Sequence, residues 1–206
     1  MPVHPLRRFA FLGLSLALVA CDAATTGQNL QEITVLKGAI TVAAPQGYCI
    51  DKKASVALGP ATVLLIGRCN TQGKVAAAVV TLTIGGPASA GVLVAGPEAL
   101  AAFFASDAGR KVLARDGDPD HVQIMQTQRA GRGLLLHLND QVAGDYWRAI
   151  TAIKGRLVTI SASGVADAPL TPVQARVLVT DTMALLDKRN GTKPYMPQAA
   201  SGAVIP

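Results

Sequence analysis

Twelve apolar or small residues, 9–20, follow Arg7 and Arg8 and end at Leu18-Val19-Ala20-Cys21, and the chain turns polar at Asp22. A secretory signal needs a positive start, a short apolar middle and small residues at the cut. Crossing a bilayer as a helix takes about 20 apolar residues, so this run is too short for a span. Residues 1–20 are therefore expected to leave the protein. What folds must be built from the remaining residues, about 186 of them, in an oxidising compartment where disulfides persist.

The cut site itself is informative. Apolar-small-small-Cys at the end of an apolar run resembles the lipobox of a bacterial lipoprotein, in which the cysteine sulfur takes a thioether-linked diacylglycerol. The resemblance implies lipidation at Cys21 and a mature chain that begins there. Each buried CH₂ of an acyl chain contributes about 0.8 kcal/mol, and two or more chains hold a protein stably on a membrane. The expected location is the cell membrane, lipid-anchored and facing the periplasm. Asp22, next to the lipidated cysteine, favours the inner membrane.

Losing Arg7 and Arg8 from 19 basic residues, against 13 acidic ones, lowers the net charge from +6 to +4. The basic residues are scattered, with no run of four. With one Trp, three Tyr and four Phe, no basic-aromatic surface for nucleic acid is expected. Cys49 and Cys69 remain once Cys21 is assigned to lipid. A Cys49–Cys69 disulfide is the expected state. Two buried thiols or a metal pair are the alternatives, and no nearby histidine supports the latter.

Residues 21–32 are small and polar and read as a lipidated flexible tether. The domain is expected over residues 33–188, and residues 189–206, with three prolines and no periodicity, as a disordered tail. Within the domain, residues 33–42 read as strand broken at Lys37-Gly38, and Pro45-Gln46-Gly47 as a turn. Residues 48–51, 61–68 and 75–84 read as strands. Pro97 and Glu98 suit a helix start, with Leu100, Phe103, Phe104, Val112 and Leu113 as its apolar face. Ser106 is expected to cap a second short helix over 107–115, broken by the aspartates after it. Two hairpins follow, turning at residues 130–133 and at Lys154-Gly155. Thr171 and Pro172 open a last helix. Val173, Val177, Met183, Leu185 and Leu186 are expected to face the sheet, and Asn190-Gly191 to end it. Strands separated from helices in this order predict an α+β fold: an antiparallel β-sheet flanked by helices.

Three stretches resemble the PsbP-like/Mog-like family. Ala44-Pro45-Gln46-Gly47-Tyr48 is similar to its opening turn. Tyr146-Trp147-Arg148 with Gly155-Arg156-Leu157-Val158-Thr159-Ile160 is similar to its penultimate hairpin. Residues 171–187 resemble the helix that packs across its sheet. The resemblance covers roughly residues 33–188. It implies a PsbP-like sandwich and an accessory or binding role, since members include an extrinsic subunit of a photosynthetic complex, a Ran-GTPase binder and bacterial lipoproteins.

No motif assembles a catalytic set, and the chain is not expected to be an enzyme. Ser89 lies in Gly86-Pro87-Ala88-Ser89-Ala90-Gly91, one residue too long before the serine for a nucleophile elbow. Gly73-Lys74 is followed by Val75, which lacks the hydroxyl that a phosphate loop uses for Mg²⁺. Asp116, Asp118 and Asp120 are spaced like the start of a calcium loop, but His121 and Thr127 stand where Gly and Glu belong. The weaker alternatives are a cation at this turn, or a metal between His121 and His137 with Asp120. Neither is adopted, and no metal or cofactor is expected. In a strand, Tyr146 and Arg148 share one face and Trp147 takes the other. Trp147 is expected in the core, and Tyr146 with Arg148 in a partner surface, because Tyr and Arg are common interface anchors. Asn190-Gly191-Thr192 matches a glycosylation sequon that is silent in bacteria.

The expected function is thus a membrane-anchored lipoprotein acting as a binding or accessory module. Its partners would be the membrane, through lipid on Cys21, and a protein or membrane complex. A small-molecule or metal carrier is the alternative, ahead of a small hydrolase.

Overall fold

The computed structural model describes residues 30–69 and 74–192. The signal, Cys21, Gly73 and residues 193–206 lie outside the described residues. Nine strands and three α-helices follow in the order β1 (Glu32–Val35), β2 (Ile40–Ala43), β3 (Tyr48–Leu58), β4 (Ala61–Arg68), β5 (Ala78–Ile84), α1 (Pro97–Ala105), α2 (Asp107–Leu113), β6 (Val122–Ala130), β7 (Gly133–Asp140), β8 (Gly144–Ile153), β9 (Arg156–Gly164) and α3 (Pro172–Asn190). Short 3₁₀ helices, Ser89–Leu93 and Pro119–His121, precede α1 and β6. β3 to β9 form one antiparallel sheet in the order β3-β4-β5-β9-β8-β7-β6, and β1 and β2 form a separate hairpin. The fold is α+β, as the pattern of elements predicts.

Period-two alternation explains the sheet's two faces. In β4, Leu64 and Ile66 are buried on one face; in β5, Val80, Leu82 and Ile84; in β9, Val158, Ile160 and Ala162. These residues form one core with α3 and the β1–β2 hairpin. On the opposite face, Leu134, Leu136 and Leu138 of β7 join Tyr146 and Ile150 of β8 in a second core beneath α1 and α2. The Lys154-Gly155 turn has positive φ at both residues, 46° and 75°, as a two-residue hairpin with native twist requires.

α3 begins as the sequence indicates. Thr171 Oγ1 accepts from the Gln174 amide, and Gln174 Oε1 accepts from the Thr171 amide, a complete capping box. Its buried face matches the expected one at Met183 and Leu186 and differs from it at Val173 and Val177. Val173 is 72 % and Val177 51 % exposed, whereas Ala175, Leu178, Val179, Thr182, Met183 and Leu186 are buried. The stripe at i, i+3, i+4 and i+7 starts at Ala175, and its small Ala175 and Thr182 let the helix lie close on the sheet. Val173 is two residues, about 200°, off that stripe.

The domain also extends further than expected at both ends. The Leu30 carbonyl accepts from the Ile50 amide and the Gln31 carbonyl from the Ala44 amide, so residues expected in the tether belong to the fold. At the other end α3 runs to Asn190. Asn190 Oδ1 accepts from the Thr41 amide and its Nδ2 donates to the Thr41 carbonyl, 3.0 and 2.8 Å. One buried side chain thus supplies β2 with the pairing of a neighbouring strand.

Cys49 and Cys69 form a disulfide, with Cα atoms 4.8 Å apart. Gln31 Nε2 lies against both sulfurs, at 3.1 and 3.2 Å. β3 continues to Leu58, past the expected Asp51, through a register shift between Asp51 and Val56. Asp51 Oδ1 accepts from the amides of Lys53 and Ala54 at that irregularity, a local bond that the sequence pattern does not announce.

Candidate functional site

α1 and α2 meet at a single residue. Ser106 ends α1, where its Oγ donates to the Phe103 carbonyl at 2.6 Å, and caps α2, where the same Oγ accepts from the Gly109 amide at 3.2 Å. Gly109 is buried in the elbow. A Cβ there would collide with the Phe103 carbonyl oxygen and Phe104 Cα, so only glycine fits. Glu98 of α1 pairs with Arg129 of β6. The far end of α2 is fixed by Asp140, which is 1 % exposed. Its carboxylate accepts from the Arg115 amide at 2.9 Å, and from the Val142 and Ala143 amides at 2.8 and 2.7 Å. Burial pushes the Asp140 carboxyl up, but these three amides outweigh it and hold its pKa below the usual carboxylate value.

The helical pair leaves part of its sheet face uncovered, where Leu65 of β4 and residues of β5 and β9 line open space. Between it and the sheet lie two adjoining cavities of about 500 and about 440 Å³. Both are lined by Val112, Leu113, Arg148 and Thr159. The first is otherwise apolar, walled by Leu100, Phe103, Phe104, Ile150 and Leu157 among others. The second is floored by hydroxyls, Thr81 and Thr83 of β5 with Thr159, Ser161 and Ser163 of β9, and Arg115 just after α2 adds a second guanidinium to its wall. Register explains their grouping, for Thr81 pairs with Ser161 and Thr83 with Thr159. The 3₁₀ helix that closes the apolar end is pinned by Ser89, whose Oγ donates to the Gly86 carbonyl at 2.7 Å and accepts from the Leu157 amide at 2.8 Å. Ser89 is therefore a structural clasp.

Arg148 stands where the apolar and hydroxyl halves meet. Its Nε donates to Ser161 Oγ at 2.9 Å, and its guanidinium carbon lies 5.4 Å from the centre of the Tyr146 ring. Among the described residues no carboxylate pairs with it, and no histidine or carboxylate lines either cavity. The arrangement can hold an apolar body and a negative head; the hydroxyls have no base beside them.

Tyr146 and Arg148 share a face and both line the second cavity, yet Tyr146 offers almost no surface to a protein partner. Tyr146 is 4 % exposed, its hydroxyl donating to the Leu113 carbonyl at 3.4 Å. Burial pushes its phenol pKa up, and Arg148 works against that shift. The expectation for Tyr146 is thereby corrected: it supports the groove from within, because the strand's inward face is roofed by α2. Trp147 is in the opposite core, stacked on His137 at 4.8 Å with Arg176 beyond.

The two histidines are not brought together. His137 Nε2 meets Asp145 at 2.6 Å, and His121 Nδ1 meets Asp116 at 2.6 Å. The hydrogen bond with Asp116 raises the His121 pKa and lowers that of Asp116. Asp116 Oδ1 and Asp118 Oδ1 accept from the Asp118 and Asp120 amides, both at 3.0 Å, and Asp118 Oδ2 stands 3.9 Å from His121 Nε2. No cluster of three potential ligands stands in metal-binding geometry among the described residues.

In the sequence the hydroxyl floor is visible only as an alternation of hydroxyl and apolar residues at the strand period, in Thr81-Leu82-Thr83 and Thr159-Ile160-Ser161-Ala162-Ser163. Comparison of the chain with protein-family models, curated proteins and solved structures gives no match.

Proposed function

We propose that this chain is a membrane-anchored lipoprotein, attached through Cys21 and facing the periplasm, that binds a small apolar molecule in the groove between its helical pair and its sheet. The observation that carries this reading is the joined pair of cavities, of about 500 and 440 Å³. Each is within the usual range of ligand pockets, about 300–1,000 Å³. The lipobox-like Leu18-Val19-Ala20-Cys21 supports the anchor. No helix among the described residues is long and apolar enough to cross a membrane. The antiparallel sheet with a closing helix across one face supports a PsbP-like identity for the fold. The groove favours a small-molecule carrier over the accessory role. One observation favours the accessory role instead: Val173 and Val177 lie exposed on the outer side of α3.

The test is titration with the neutral fluorescent probe 1-N-phenylnaphthylamine. The wild-type chain is expected to bind one probe saturably. Ala99→Trp, which places an indole in the apolar cavity, is expected to abolish binding without loss of folding. Equal binding by both would place the probe elsewhere and end the groove reading.

A further inference from the structure

The two halves of the groove differ in chemistry, and Arg148 is the charged side chain common to both. The apolar chamber is walled by Leu100, Phe103, Phe104, Leu113 and Ile150, and Phe103 and Val112 remain exposed at its mouth. A methylene takes about the share of volume that a water has in the liquid, ~30 Å³, so about 500 Å³ holds a chain of roughly 12 to 16 carbons. The hydroxyl half lies beyond, and Arg148 lines both.

Arg148 is pre-oriented. Its Nε is committed to Ser161, and the Tyr146 ring lies 5.4 Å away. Among the described residues its terminal nitrogens have no carboxylate partner. A guanidinium carries five N–H donors in a fixed fork, and one spent on Ser161 leaves the terminal pair for a planar, two-oxygen acceptor. A partly buried cation without a counter-ion is costly, and the most economical partner is a monoanion that arrives with the ligand. Thr159 and Ser161 stand on the same floor to solvate it.

We propose that the groove binds a single-chain fatty-acid anion, its hydrocarbon tail in the apolar chamber and its carboxylate on Arg148. This rests on the groove reading above and adds the charge and the direction of the ligand. Arg148 is the cation that lines both halves, and Arg115 lines the hydroxyl half alone; a planar carboxylate matches the Arg148 fork, and dodecyl phosphate is the control for a head that also engages Arg115.

The experiment uses the mature chain, residues 21–206, with Cys21→Ala so that no detergent is needed. Calorimetric titration with monomeric dodecanoate is compared with methyl dodecanoate, dodecyl phosphate and dodecyltrimethylammonium. Dodecanoate is expected to bind one to one. The ester should bind about ten to a hundred times more weakly, as loss of a charge-assisted pair implies, and the cation should not bind. Arg148→Met should weaken dodecanoate to the level of the ester. Arg148→Lys should restore part of the loss.

Equal affinity for acid and ester, or unchanged dodecanoate binding in Arg148→Met, would overturn the carboxylate assignment. Tighter binding of dodecyl phosphate would overturn it in favour of a phosphate head. In these cases retained probe binding leaves the groove reading intact. Failure of both dodecanoate and the neutral probe to bind the wild-type chain would remove the groove reading itself. The head-group series uses wild-type Arg148, so it decides even if the Arg148 variants fold poorly.

Discussion

Replacing Asp140 should unlock the wall of the groove and expose how it is held. The carboxylate is 1 % exposed and accepts three backbone amides, two from the β7–β8 turn and one from Arg115 just after α2. A hydrogen bond to a charged group contributes about 1.5–3 kcal/mol, and an amide left without an acceptor costs about 1–3 kcal/mol. These amides are partly buried, so water recovers some of that cost. Asp140→Ala should then destabilise the domain by about 3–5 kcal/mol. Asp140→Asn can keep the two turn amides on its oxygen, but it loses the charge and sets its own N–H donors against the Arg115 amide, so it should still cost about 1.5–3 kcal/mol. Urea unfolding at neutral pH gives both values. The folded-state pKa of Asp140 is below its unfolded value. Its contribution is therefore present above about pH 4 and is lost as pH falls through the folded value. The wild type should weaken over that acid range more than Asp140→Ala does. An alanine variant within about 1 kcal/mol of the wild type, or one with the same acid limb, would refute the reasoning.

Removing the disulfide with Cys49→Ala and Cys69→Ala, a separation of 20 residues, should cost about 3 kcal/mol, chiefly by freeing the unfolded chain; urea unfolding under non-reducing conditions measures it. Asn190→Ala should cost about 2–3 kcal/mol because it leaves the backbone N–H and C=O of Thr41 without their side-chain partner, and amide exchange should quicken in β2 before it quickens in β8. Gly109→Ala, which drives a Cβ into the Phe103 carbonyl, should destabilise by about 2–4 kcal/mol and weaken probe binding by displacing α1 from α2. Intact-mass spectrometry of the protein from its own membrane should show a chain beginning at Cys21 with acyl groups attached, and Cys21→Ala should release it from the membrane fraction.

Much of the fold is legible in the sequence because it is written in local chemistry. Thr171-Pro172 with Gln174, Lys154-Gly155, and Ser106 each fix an element boundary through bonds made within a few residues. The errors lie where a long-range partner decides. Val173 and Val177 look like core residues until the sheet selects the stripe through Ala175 and Met183. Phe103 and Val112 belong to the expected apolar face of the helices, but the helical pair stops short of β4 and β5, so they rim a groove instead. The groove itself depends on register. Thr81, Thr83, Thr159 and Ser161 are four ordinary strand residues until β5 pairs with β9. Arg148 is visible as an anchor by type, whereas its setting is visible only when Ser161 and Tyr146 stand on either side of it.

A crystal structure of the mature chain grown with dodecanoate tests the central claim most directly. The expected result is a carboxylate within about 3 Å of the Arg148 guanidinium and a tail running between Leu100, Phe103 and Ile150. An empty groove under saturating ligand, or a tail seated on the outer face of α3, would contradict the account.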